Sequence, residues 1–192
     1  MSDDGFHVHG PHDHALEHAQ HSGNGGMINQ IAMFTAILAT VGAIFAYMGG
    51  ATQANAGLYK NDAAIKKTEA SNQWNYFQAK STKQALAELA RDLAPNDAEK
   101  TKYQAKVDRY DKEKTEIKVK ADELEGQATE WDHQSDEQMH HHHRWAQATT
   151  VLQVAIAMAA IALLTKKKWL EWAMFGAGSV GAVLGILAAM HV

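Results

Sequence analysis

The side chains in this sequence most suited to chemistry are its histidines, and they crowd into two places. Of the 12 histidines, His7, His9, His12, His14, His18 and His21 fall in the first 21 residues, His133 and the run 140–143 fall together further on, and His191 stands alone. If a short helix follows Pro11, His14, His18 and His21 share one face at i, i+4 and i+7, beside Glu17. Imidazoles one turn apart chelate borderline divalent metals such as Zn²⁺, Ni²⁺ or Cu²⁺. Glu137 and His140 have Glu-x-x-His spacing, and His133, four residues before Glu137, shares their face. Di-iron carboxylate bundles use that spacing on two helices with a further Glu on two more; one clear copy falls short of the set. The plainer readings are a solvated, low-affinity tail, an imidazole run pointing in four directions beside Arg144 and Trp145 as an interfacial belt, or groups that titrate near pH ~6.5. The run 140–143 lies inside a helical pattern, which excludes an expression tag.

A second group is Asn72, Gln73, Trp74, Tyr76, Phe77, Gln78 and Lys80, aromatics interleaved with amides and one lysine on a helix. It reads either as a recognition surface for a partner or as an aromatic plug in a coiled coil with polar residues setting register. No GxSxG, Walker loop, HExxH or paired-carboxylate motif occurs, so no catalytic residue is assigned and no enzyme is expected. With no cysteine, thiol catalysis, Fe–S clusters and disulfide frameworks are excluded. A net charge of -4, from 18 basic and 22 acidic residues, argues against a general nucleic-acid binder. A divalent transition metal is the one cofactor that the residues admit.

The elements that position these groups follow from where charge is missing. Asp, Glu, Lys and Arg are absent from residues 22–59, 145–165 and 172–192. A helix needs ~20 apolar residues to cross a hydrocarbon core of ~30 Å. The division is therefore a His-rich tail at 1–26, transmembrane helices at 27–50, 145–165 and 169–192, and a polar helical region at 51–144. Tyr47, Trp145, Trp169 and Trp172 suit the interfaces. Ala177, Gly181, Gly185 and Ala189 recur every four residues and let helices approach closely in lipid. Gln153, inside the second span, is expected to find a hydrogen-bond partner across helices, as glue rather than as a pore ligand.

Between the first two spans the residues favour helix, with one break at Pro95, where Asn96 or Asp97 can cap the next helix. Positions 103, 107, 110, 114, 117, 121, 124, 128 and 131 keep a 4-3 rhythm and are apolar except for Lys114. On the earlier arm Leu58, Ile65, Ala79, Leu86, Leu89 and Leu93 give a weaker seam, and Gly49-Gly50 offers a kink. The spacing predicts a long antiparallel helical hairpin, a coiled-coil-like stalk with its tip near Pro95 and arms of ~65–70 Å.

The residues Ala70, Ser71, Asn72, Gln73, Trp74, Tyr76, Phe77, Gln78, Ala79 and Lys80 resemble the hallmark of the bacterial DUF4337 family, membrane proteins of undefined function. A histidine-bearing tail, one span, a helical middle and a closing pair of spans joined by a Lys/Arg-Trp turn, here Lys166, Lys167, Lys168 and Trp169, match as well. The run 140–143 departs from the more acidic residues found there in the family. The resemblance implies architecture and localisation, and no activity.

The expectation is an all-α integral membrane protein of the bacterial inner membrane. The short turn at 166–168 carries three lysines and should face the cytoplasm, which places the N-terminus in the cytoplasm and the hairpin in the periplasm. Lys60, Lys66 and Lys67 after the first span argue the other way. The leading function is a non-enzymatic scaffold or accessory subunit that homo-oligomerises in the bilayer, joins a larger membrane-protein complex and presents its stalk for docking. The alternatives are a metal-handling protein using its histidine clusters, and a passive channel thinly lined by Thr35, Thr149, Thr150 and Gln153.

Overall fold

The computed structural model describes residues 25–190. The tail histidines, His14, His18 and His21 among them, lie outside the described residues. The described chain is all-helical: α1 is Gly25–Asp92, α2 is Asp97–Thr165 and α3 is Lys168–Ala189. All three are long and apolar enough to cross a membrane. No proline interrupts any of them, and α1 continues through Gly49-Gly50 without a break.

Each break has a local cause. Pro95 has no N–H and cannot extend α1. Leu93 N–H still donates to Leu89 O and Ala94 N–H to Arg91 O, which closes the helix end. Asn96 then caps α2: its Oδ1 accepts from Glu99 N–H at 2.9 Å. Between α2 and α3 the chain turns on Lys166, whose φ of 53° lies in the left-handed region. Lys166 N–H donates to Ala162 O at 2.9 Å, and Lys167 is extended before α3 begins.

The chain divides into two compact units, Met1–Ala51 with His141–Val192, and Thr52–His140. In the first, Ile31, Ala159, Ala162, Leu170 and Met174 form one buried cluster, and Leu38, Leu152 and Ala155 form another. Aromatic pairs reinforce both, Phe34 with Phe175 at 4.5 Å and Phe45 with Trp145 at 5.3 Å. The outward side chains of this unit, such as Met33, Ile37, Ile44, Val154, Ile161 and Val183, are apolar and exposed. That surface suits contact with a lipid bilayer, where apolar groups outside a fold need no cover.

In the second unit α2 buries Val107, Ile117, Ala121, Leu124, Ala128 and Ser135, and α1 buries Ala56, Ala63, Ala70 and Ala87. All nine α2 positions of the 4-3 rhythm are buried or half-buried. The α1 seam expected from Leu58, Ile65, Ala79, Leu86, Leu89 and Leu93 is wrong: all six are exposed. Small alanines seven residues apart take the inner face instead, because they bring the helix axes close and leave the contact to the larger residues of α2.

Partners across the two helices run in opposite directions along the sequence. Ser135 Oγ donates to Ala56 O at 2.9 Å. Lys60 pairs with Asp132, and Tyr59 stacks on Trp131 at 5.5 Å. Trp74 meets Glu125, Lys80 meets Glu113, and Arg91 meets Gln104.

Candidate functional site

The 70–83 segment is where the second unit concentrates its polar and aromatic chemistry. On a helix, residues three and four apart share a face. Gln73, Trp74, Phe77 and Lys80 are half-buried, and Asn72, Tyr76 and Gln78 are exposed. Trp74 Nε1–H donates to Glu125 Oε1 at 2.7 Å, and its ring meets Phe77 edge-on at 5.7 Å. Lys114 Nζ lies 5.4 Å from the centre of the Phe77 ring.

Lys80 is the centre of the arrangement. Its ammonium pairs with Glu113 and lies over the rings of Tyr76 at 5.0 Å and Tyr110 at 5.7 Å. A cation over aromatic faces is attracted by the ring quadrupole. The hydrogen bond to Glu113, helped by Tyr76, raises the Lys80 pKa above its ordinary value against the cost of burial. The same bond holds the Glu113 carboxyl below its ordinary range, with burial opposing it and Arg109 helping; Arg109 Nε is 3.5 Å from Glu113 Oε1. Both groups are therefore charged throughout the neutral range. Beside them lies a shallow recess of about 320 Å³, lined by Gln73, Tyr76, Lys80, Glu113, Glu116, Ile117 and Lys120.

Sequence reasoning found the α1 half of this site and placed Tyr110 and Lys114 on the α2 seam, but missed Glu113 and Glu125. The signal was present in the 110, 113, 114 spacing, which puts an aromatic, an acid and a base on one helix face. Asn72 is exposed and lies outside the α1–α2 seam.

The other sequence candidates are more scattered. His133 Nδ1 lies 3.5 Å from Glu137 Oε1, and both side chains are exposed. His140 is exposed as well, and no group of three or more His, Cys, Asp or Glu side chains converges among the described residues. His142 Nδ1 sits 2.8 Å from the Gly49 carbonyl. A carbonyl only accepts, so this contact fits a ring that carries its proton on Nδ1.

Gly181 and Gly185 are both buried. A Cβ on Gly181 would come within 2.6 Å of Leu152 Cδ2, and one on Gly185 would overlap the Phe45 ring. Ala177 is half-buried, but Ala189 is exposed and Ala188 is buried in its place. A spacing of four drifts round the helix, whereas Met174, Gly178, Gly181, Gly185 and Ala188 keep the 4-3 alternation that holds one face. Gln153 is exposed and finds no hydrogen-bond partner among the described residues, contrary to expectation. Trp169, Trp172 and Tyr47 are exposed as interfacial residues would be, whereas Trp145 is buried against Phe45.

Residues 27–191 match a family described as Domain of unknown function (DUF4337). The chain belongs to the DUF4337 family. The match includes the whole 70–83 segment, its α2 partners and all three helical spans, and it begins after the His-rich tail. Within the DUF4337 region, then, the residues that come together are the aromatic and charged ones around Lys80, while the tail set His14, His18 and His21 stands outside it. No curated protein and no solved structure matches the chain.

Proposed function

We propose that this DUF4337 protein is a non-enzymatic scaffold or accessory subunit of the bacterial inner membrane. It crosses the bilayer three times, with residues 51–144 folded as an antiparallel helical hairpin exposed to water. The N-terminus is cytoplasmic and the hairpin periplasmic. The hairpin docks another component of a membrane complex through the Tyr76–Lys80–Glu113 surface.

The observation that carries this reading is that Lys80 is held in place from several sides, by Glu113, Tyr76 and Tyr110, beside an open recess. Aromatic residues fixed in this way lose little freedom on binding, which is what interface anchors require. The test is site-specific photo-cross-linking from residue 76 in native membranes. The account expects one or a few defined adducts that vanish in Lys80→Glu while the protein level is unchanged. The same adducts in both variants would sink the docking surface.

A second reading, metal handling, is favoured by the His133–Glu137 pair at i, i+4. Its measurement is the metal content of untagged protein purified without metal-affinity resin, beside a deletion beginning at Gly23. Near-integral Zn, Ni or Cu that disappears with the tail would assign His14, His18 and His21. Metal that persists would assign His133, Glu137 and His140. Trace metal in both would remove this reading.

A further inference from the structure

Five of the six residues that fail to form the inner seam, Leu58, Ile65, Ala79, Leu86 and Leu93, fall with Asn72 in a strict seven-residue repeat. The sixth, Leu89, falls with Asn61, Thr68, Asn75 and Thr82 at the intervening 4-3 positions. All eleven are exposed, Leu58 at 62%, Leu86 at 60% and Leu93 at 74%. None of the eleven is charged, although Lys60, Asp62, Lys66, Lys67, Glu69 and Lys83 crowd the same helix. Thr68 and Thr82 spend their hydroxyls on Ala64 O and Gln78 O of their own helix, so neither needs an outside partner. The outward face of α2 is different in kind: Lys106, Asp108, Lys112, Glu116 and Asp122 are all exposed there. Helix α1 thus has two faces, an inner one of alanines and an outer uncharged one, six apolar residues and five Asn or Thr, that keeps heptad spacing over five repeats.

We infer that this outer α1 stripe is the seam through which two copies of the chain associate, by parallel, in-register pairing of α1 with α1. The inference rests on the membrane reading above, because copies inserted in one bilayer share an orientation and so must pair parallel. In-register parallel pairing puts each residue opposite itself. A charged residue would then meet its own charge, and this stripe avoids that over its full length. Asn72 would meet Asn72, and a carboxamide satisfies its own copy because it both donates and accepts. An Asn at a seam position fixes register at a cost in stability, and Asn61 and Asn75 would meet their own copies in the same way. The leucines at both ends supply the apolar contact.

The protein has no cysteine, so single cysteines report proximity directly. Full-length Ala79→Cys, Thr82→Cys and Leu86→Cys would be oxidised in native membranes beside Thr115→Cys on the outer face of α2. The account predicts disulfide-linked dimers at positions 79, 82 and 86, weak cross-linking at Ser81→Cys and Gln84→Cys, and none at 115. Leu86→Lys combined with Leu93→Lys should weaken dimerisation roughly tenfold or more with helix content unchanged by circular dichroism. Asn72→Leu should keep the dimer but admit cross-links between copies carrying different positions.

Equal cross-linking at all positions, or none at 79, 82 and 86 in protein that stays in the carbonate-washed membrane pellet, would overturn the seam and leave the membrane reading standing. Adducts at 79 and 86 with a different protein and no homodimer would also overturn it. Release of the protein by the carbonate wash would instead refute the membrane reading.

Discussion

The two units hold their helices together by different chemistry. In Thr52–His140 the buried residues are alanines of α1 and Val107, Ile117 and Leu124 of α2, flanked by Lys60–Asp132 and Lys80–Glu113. In the other unit glycines of α3 receive Phe34 and Phe45 of α1 and Leu152 of α2, and Gly42 and Gly49 of α1 lie against Leu152 and Trp145 of α2. On the membrane reading proposed above, the difference is what two solvents require. In water, removing apolar area drives helices together at roughly 25 cal/mol per Å², and charged side chains are tolerated at the rim. Between helices in hydrocarbon that drive is absent, and close fit supplies the attraction. The residue types at the helix contacts change accordingly.

The sharpest way to break this comparison is to fill the glycine sites. Gly185→Ala puts a methyl into the Phe45 ring and should cost about 1–3 kcal/mol of stability by overpacking. Denaturant unfolding in detergent measures it. Phe45→Leu should recover part of the loss in a double-mutant cycle. Gly50→Ala is the control, since nothing lies within 4 Å of its Cβ; it should be neutral or slightly stabilising.

Ser135→Ala comes next in size. It removes the donor to the Ala56 carbonyl from the buried seam and should cost ~0.5–1.5 kcal/mol. A neutral result would show that the alanine seam is looser than its burial implies.

The ionic clasps should give the second unit a pH dependence of their own. Glu113 is held below its ordinary value of 4.5, so its contribution is present above that value and is lost as pH falls through the lowered one. Lys80 is raised above 10.5, so its contribution is present below that value and is lost as pH climbs through the raised one. Lys60 behaves in the same sense as Lys80, through Asp132. The thermal midpoint should therefore hold level between these limits and fall on the acid side. Glu113→Gln should shallow the acid limb, and an unchanged limb would count against the clasp.

The smallest expected effect is at the turn. Lys166 has a side chain in the left-handed region, a position that glycine fills more cheaply. Lys166→Gly should stabilise by ~0.5–1 kcal/mol, measured by the same unfolding assay.

What the sequence displayed and what it concealed divide along these lines too. Missing charge marks the apolar segments, and Pro95 with Asn96 marks the break, because each acts through a single residue or a long average. The α2 seam was legible because its large residues are its buried ones. The α1 seam was not: Leu58, Leu86 and Leu93 look like core and face outward, while Ala56, Ala63 and Ala70 look neutral and face inward. Size suggests burial only when the facing helix leaves room. The same limit hid Ala188 behind Ala189 and put Trp145 at an interface rather than against Phe45. Of the Lys80 site, the α1 residues were legible as a motif and Tyr110 as a seam position; Glu113 was passed over, because its spacing to Tyr110 gains meaning only across the helix pair.

The central claim is that one unit sits in hydrocarbon and the other in water. Cysteine accessibility tests it most directly. Ile161→Cys and Val183→Cys, both outward in the first unit, would be compared with Thr115→Cys and Val119→Cys, outward in the second, using a charged maleimide on membranes opened to both sides. The account predicts rapid labelling at 115 and 119, and at 161 and 183 only after the bilayer is dissolved and the chain unfolded. Equal labelling at all four positions in intact bilayer would contradict it and make the chain a water-soluble helical protein.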